Sequence, residues 1–274
     1  MTDSPLASFL LPQGFARPPI TSLLHETRIV GEIGRFAARS HGERRERRRR
    51  PVDQGEGTEP VLLIPGFLAG DASLMAMSSS LRGLGFRTYR SRILTNIGCT
   101  YGAGRLIEAR LEEIAERRGT RVQIVGHSLG GMIARGLAAR RPDLVSGIVT
   151  MGSPMMAPGA HHPALSWGVE ALVRLSQVGI PGLMSQDCVA GSCARESFDE
   201  SRRELAADVG FTAIYSHRDG VVDWRACIDP SAVAVRVDAS HCGMAVDPRV
   251  IDKVGAALRA QVGRGYDLDR QQIA

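Results

Sequence analysis

An α/β fold, with a mostly parallel sheet flanked by helices on both faces, is predicted by three features of the sequence. Short apolar segments alternate with segments of helical periodicity from Val61 onward. Those apolar segments are rich in Val, Ile and Leu with few polar interruptions, the pattern of strands buried on both faces. The helical segments between them are long enough to cross the sheet and return, so successive strands can lie parallel.

The elements follow in order. Val61–Ile64 reads as a strand, Ser73–Leu84 as a helix and Phe86–Tyr89 as a strand. Arg105–Arg118 reads as a helix, Val122–Val125 as a strand and Leu129–Arg140 as a helix that stops at Arg141-Pro142. Val145–Met151 is a strand ending in Gly152-Ser153-Pro154. Phe211–Tyr215 and Val233–Val237 add two strands, and Pro248–Val262 a closing helix. Residues 155–208 carry no strand pattern, but Leu165, Val169, Leu172, Val173 and Leu175 fall roughly on one helical face. A connection of that length in a compact domain is usually functional, so a helical lid or cap above the sheet is expected. The main domain is thus placed at 61–264, with a tail over 265–274.

Ahead of the domain, residues 1–39 form a helical arm whose apolar stripe comprises Leu23, Leu24, Ile29, Val30, Ile33 and Phe36. The stripe predicts docking on the main domain, with attachment to a membrane surface as the second reading. Residues 40–60 are polar and charged and read as a flexible linker. Six arginines and two glutamates in Glu43–Arg50 carry +4 of the formal net charge of +5. The remainder is close to neutral, and no nucleic-acid-binding motif accompanies the run, so no nucleic-acid partner is expected. No apolar stretch reaches the length of a membrane span and the N-terminus lacks a basic export signal, which predicts a cytoplasmic protein. Five cysteines in such a chain predict free thiols. Cys188 and Cys193 are near enough in sequence to bridge, though spacing does not decide it. Without a C-x-x-C pair, no metal site is expected.

Chemistry concentrates in Gly126-His127-Ser128-Leu129-Gly130. A hydroxyl placed between two glycines, where a buried strand turns sharply into a helix, is forced into a strained, exposed position. The N–H groups at the start of the following helix favour negative charge there. Gly131 and Ala134 suit close packing of that helix on the sheet.

Together with Ile64-Pro65-Gly66-Phe67, Gly152-Ser153-Pro154, Ser216-His217-Arg218-Asp219-Gly220 and Ser240-His241-Cys242-Gly243, this motif resembles the α/β-hydrolase superfamily, particularly its bacterial lipase- and esterase-like members. The resemblance spans about Val61 to Val262. It implies that Ser128 is the nucleophile and that the first two antiparallel strands of the full fold are missing or replaced by the arm. His241, after the last strand and before the final helix, stands where this fold supplies its base. His25, His41, His127, His161, His162 and His217 are less well placed. The acid lies between Ser128 and His241 in chain order. Asp219, just beyond a strand end, is the first choice, and Asp223 is its rival. Oxyanion-hole N–H groups are assigned to Leu129 and to Phe67, with Leu68 second; Pro65-Gly66 replaces the His-Gly that many relatives carry here.

The resemblance implies hydrolysis of carboxylic esters, esterase- or lipase-like, through an acyl-enzyme, with no metal and no organic cofactor. A small-molecule or lipid acyl ester is the expected partner. An acyltransferase or thioesterase using the same triad, or a binding module without turnover, are the alternatives.

Overall fold

Alternating side chains of one short strand face two different cores. Val61 and Leu63 pack with Leu74, Met77, Leu81, Val250, Ile251, Val254 and Leu258. Leu62 and Ile64 pack with Ile107, Leu111, Ile114, Ile133 and Leu137 on the opposite face. A period of two on a sheet covered on both sides leaves no polar position, hence the unbroken apolar run. Each such side chain, fully buried, contributes on the order of 1.5–3 kcal/mol.

The computed structural model describes residues 6–49 and 59–272, with side chains over 6–42 and 59–262. The strands are β1 (Pro60–Ile64), β2 (Arg87–Arg90), β3 (Val122–His127), β4 (Val145–Met151), β5 (Gly210–Ser216) and β6 (Val233–Val237). They form one six-stranded sheet in the order β2-β1-β3-β4-β5-β6. Every neighbouring pair is parallel. The chain steps outward from β1 to β2 and then crosses back to β3. That reversal opens a crevice beyond the carboxyl ends of β1 and β3, where sites in such sheets lie.

The helices are α1 (Ile29–Arg49), α2 (Met75–Gly83), α3 (Thr100–Arg118), α4 (Leu129–Arg140), α5 (Pro163–Gln177), α6 (Gln186–Ala190), α7 (Ser192–Ser201) and α8 (Pro248–Gln272). α2 and α8 contribute to one core, α3 and α4 to the other. α5, α6 and α7 fill the predicted insertion. α7 is fastened to the sheet side by Arg140, which pairs with Glu200 at 2.5 Å and with Glu108 of α3 at 2.9 Å. Among the described residues, no helix is long and apolar enough to cross a membrane.

Three expectations need correction. α3 starts at Thr100, a turn before Arg105, and α8 continues to Gln272 through most of the predicted tail. α1 runs through Arg49, so the first half of the predicted linker is helical. Its remainder at 50–58, the side chains of the arginine run, and residues 273–274 lie outside the described residues.

The third correction concerns which face of the arm docks. Leu24 is 69% exposed, Val30 75% and Ile33 50%, so much of the predicted apolar stripe faces solvent. Ser22 and Glu32 are buried instead, and Phe36 is the stripe residue that packs against the core. Apolar periodicity failed here because the arm sits on exposed backbone N–H groups, which call for carboxylates.

Candidate active site

Ser128 has φ 53° and ψ −121°, a conformation unfavourable for any residue with a side chain. Strain on the order of 1–3 kcal/mol must be overcome by the surroundings. The Ser128 N–H donates to the Met151 carbonyl at 2.8 Å, and the Ser128 carbonyl accepts from Gly131 N–H at 3.0 Å. A Cβ at Gly126 would overlap Gly131 and the Gly130 carbonyl, and one at Gly130 would overlap the Ile64 and Pro65 carbonyls. The glycines flanking the serine are therefore dictated by backbone approaching backbone. Leu129 begins α4, and the first N–H groups of a helix have no partner within it.

The loop after β1 brings Phe67 to the same cavity wall as Ser128 and Leu129. Of the two expected oxyanion donors from this loop, Leu68 is committed elsewhere: its N–H donates to the Asn96 carbonyl at 3.0 Å. Asn96 in turn donates from Nδ2 to the Pro65 carbonyl at 3.0 Å and holds the loop.

Asp219 and His241 meet directly, Nδ1 to Oδ2, at 2.7 Å. The other Asp219 oxygen accepts the N–H groups of Val221 and Val222, both at 2.8 Å, which fixes the carboxylate plane. Asp223 turns away: it accepts from Arg225 N–H at 3.1 Å and from Ala16 N–H at 3.3 Å. It caps a short 3-10 turn, Trp224–Cys227, and anchors the arm. Gly152, with φ 56°, lies at the junction; a Cβ there would meet His241 Nδ1 at 3.0 Å and Asp219 Oδ2 at 3.1 Å. Burial opposes a charged His241, but the Asp219 carboxylate, its hydrogen bond and the charge of Glu26 together raise the imidazole above its ordinary pKa.

His127 is a neighbour of consequence that sequence reasoning set aside. Its ring packs on His241 with centroids 4.9 Å apart, and its Nε2 lies 3.0 Å from the His241 carbonyl oxygen. Burial, with repulsion from His241, pushes its pKa down to about 3, so it stays neutral against the His241 ring. His217 packs instead on Trp224, centroids 4.2 Å apart. His161 lines the cavity, and His162 caps α5 by accepting from Ala164 N–H at 3.1 Å.

Two further residues were missed. Glu26 accepts from the N–H groups of His241 at 2.8 Å, Gly220 at 3.0 Å and Cys242 at 3.0 Å. Glu32, only 1% exposed, accepts from Ser240 N–H at 2.8 Å and Ser240 Oγ at 2.5 Å. The arm thus grips the loops carrying both Asp219 and His241. The sole hint in the sequence was two carboxylates, six positions apart, inside a segment patterned as apolar.

A cavity, partly open to solvent, stands over Ser128. Its walls are mostly apolar: Leu165, Val169, Met184, Val189 and Phe198 from the insertion, and Leu6 and Leu10 from the arm. Elsewhere, all five cysteines are free thiols, and Cys99, Cys188 and Cys193 gather within 4.8 Å of one another. The sequence spacing brought Cys188 and Cys193 near each other but gave no sign of Cys99.

A family model described as the alpha/beta hydrolase fold matches residues 117–178, which include Ser128 and its flanking strand and helix. No curated protein matches the sequence. Among solved structures, the chain is similar to the mature Bacillus licheniformis lipase BlEst2, at TM-score 0.57 and 14% identity over 74% of this chain and 93% of that one. A soluble variant of the Saccharomyces cerevisiae monoglyceride lipase gives TM-score 0.54 and 14% identity over 77% and 88% of the two chains. Est1E from Butyrivibrio proteoclasticus gives 0.54 and 15% over 77% and 91%. The sheet order, the serine turn between β3 and α4, the matching family model and these likenesses agree: the chain has the α/β-hydrolase fold.

Proposed function

We propose that the protein is a serine hydrolase that cleaves carboxylic esters through an acyl-enzyme. The observations that support this reading are the strained Ser128 at the start of α4, under an apolar cavity, and the buried, hydrogen-bonded Asp219–His241 pair. A serine hydroxyl is a weak nucleophile at neutral pH and needs a base. His241 takes the Ser128 proton on Nε2 as Oγ attacks the substrate carbonyl carbon, and Asp219 stabilises the resulting imidazolium. The N–H groups of Phe67 and Leu129 receive the negative oxygen of the tetrahedral intermediate. Collapse breaks the ester C–O bond, and His241 returns the proton to the departing alcohol. Water then repeats the sequence on the acyl group and frees Ser128. The apolar walls of the cavity support an acyl chain over a sugar or a phosphate as the substrate group.

The test is turnover of a panel of short- to long-chain acyl esters and thioesters by wild type and Ser128→Ala. Loss of roughly 10⁴-fold or more with the fold intact is expected, because triad members act as a unit. Retention of turnover within tenfold, about 1.4 kcal/mol of barrier, refutes the assignment. A fluorophosphonate probe should label wild type at Ser128; a folded, unlabelled protein would indicate a binding module. Transfer to an added alcohol in preference to water would redefine it as an acyltransferase.

A further inference from the structure

Among the described residues, one group of three potential metal-ligating side chains converges, and it includes none of Ser128, Asp219 and His241. Cys99, Cys188 and Cys193 place their sulfurs within 4.8 Å of one another, all three partly buried. Cys99 precedes α3, with its sulfur accepting from Gly102 N–H at 3.4 Å. Cys188 lies in α6 and Cys193 in the first turn of α7. The Cys99 and Cys193 sulfurs are 3.1 Å apart.

The local backbone is folded to make this meeting. The Asp187 carboxylate accepts from Ser192 N–H at 2.8 Å and Cys193 N–H at 3.3 Å, closing the α6–α7 turn. Gly191 lies inside that turn, where a Cβ would overlap Asp187 Oδ1. Met184 N–H donates to the Ile97 carbonyl at 3.0 Å and draws the insertion against the loop that carries Cys99.

We propose that Cys99, Cys188 and Cys193 form a binding site for one thiophilic d¹⁰ cation, which staples the α6–α7 cap to the start of α3. The donor set is all sulfur, which selects soft ions of the zinc, cadmium and copper(I) type over calcium or magnesium. At zinc–sulfur bonds of about 2.3 Å the three sulfurs stand ~3.8 Å apart, within the spread already present. Only small side-chain rotations are needed. Binding a divalent ion converts three thiols to thiolates and releases three protons to solvent, with water completing the coordination. A disulfide would use two sulfurs and leave the third idle, whereas the cation uses all three. Because Cys188 and the neighbouring Thr100 also line the cavity over Ser128, an occupied site would fix one wall of that cavity. The site stands whatever reaction Ser128 performs.

The test is titration of the full-length protein with cadmium, after reduction by a phosphine. It is followed by the ultraviolet thiolate-to-cadmium charge-transfer band and by native mass spectrometry. One ion per chain is expected. Cys99→Ser, Cys188→Ser and Cys193→Ser should each weaken binding by more than about 100-fold, whereas Cys227→Ser and Cys242→Ser should not. Wild type supplies a readout that needs no variant: cadmium should protect the three clustered thiols from alkylation while Cys242 continues to react. No charge-transfer band on fully reduced protein, affinity indifferent to Cys99→Ser, or no protection of the trio would each overturn the site.

Discussion

At the scale of single residues, the choice between Asp219 and Asp223 is the sharpest test of the site. Asp219 spends one oxygen on two backbone N–H groups and the other on His241, so Asp219→Asn keeps its shape but loses the charge that orients the ring. Turnover should fall by about 10³–10⁴-fold. Asp223→Asn disturbs a cap and an arm contact, and should leave turnover within about tenfold provided the protein stays folded. The reverse ranking in steady-state kinetics would move the acid to Asp223. The raised pKa of His241 gives a second test, in which activity and stability respond to pH with opposite signs. A base must be neutral, so kcat/KM should rise with pH through a midpoint above that of an ordinary histidine. The stability that His241 supplies is fully present below its unfolded pKa and fades as pH rises through the folded value. Because Glu26 contributes to the elevation, Glu26→Gln should shift the kinetic midpoint downward. An unmoved midpoint would mean that Glu26 does not act on His241.

At the scale of elements, legibility tracked the kind of force involved. Strand β1 could be read because burial on both faces writes a continuous apolar run, and β3 and β4 because Val and Ile dominate them despite Gln123, Ser146 and Thr150. The turn at Ser128 could be read because backbone crowding at Gly126 and Gly130 admits no other residue. The arm was misread because its docking face is made of Ser22, Glu26 and Glu32, whose partners lie some 200 positions away. The thiol cluster was invisible for the same reason: Cys99 and Cys193 are separated by 94 positions. The insertion was foreseen as helical, and its role as a cap over the substrate is testable. Val169 of α5 is buried, packs with Val173, Met184 and Val189, and lines the cavity. Val169→Trp should therefore shorten the cavity and reduce turnover of long-chain esters by at least about tenfold more than that of short ones. Equal loss at every chain length would make α5 a structural element alone.

At the scale of the whole molecule, the sheet alone does not secure the Asp219–His241 pair. Ser128 follows β3, a central strand held on both sides, but Asp219 and His241 follow β5 and β6 at one edge. β6 has a single neighbour, and Val233 at its start is 50% exposed. The loops beyond such an edge need an outside restraint, and the arm supplies it through Glu26 and Glu32, with Arg35 paired to Asp247 at 2.7 Å. Residues near the beginning of the chain thereby hold His241, which lies near its end. Hydrogen bonds to a carboxylate are worth roughly 1.5–3 kcal/mol each, and substitution by an amide forfeits part of that. In Glu26→Gln/Glu32→Gln, the amides of Gly220, Ser240, His241 and Cys242 should exchange with solvent deuterium about 10–100-fold faster than in wild type. Those of Leu62, Ile124 and Val149, at the sheet centre, should be unchanged. Fluorophosphonate labelling of Ser128 should slow in parallel, since a loosened His241 spends less time aligned with the serine. Exchange that quickens equally in the sheet centre would identify the arm as a general stabiliser. Labelling that stays at the wild-type rate, despite faster exchange in the loops, would show that His241 is held well enough without the arm.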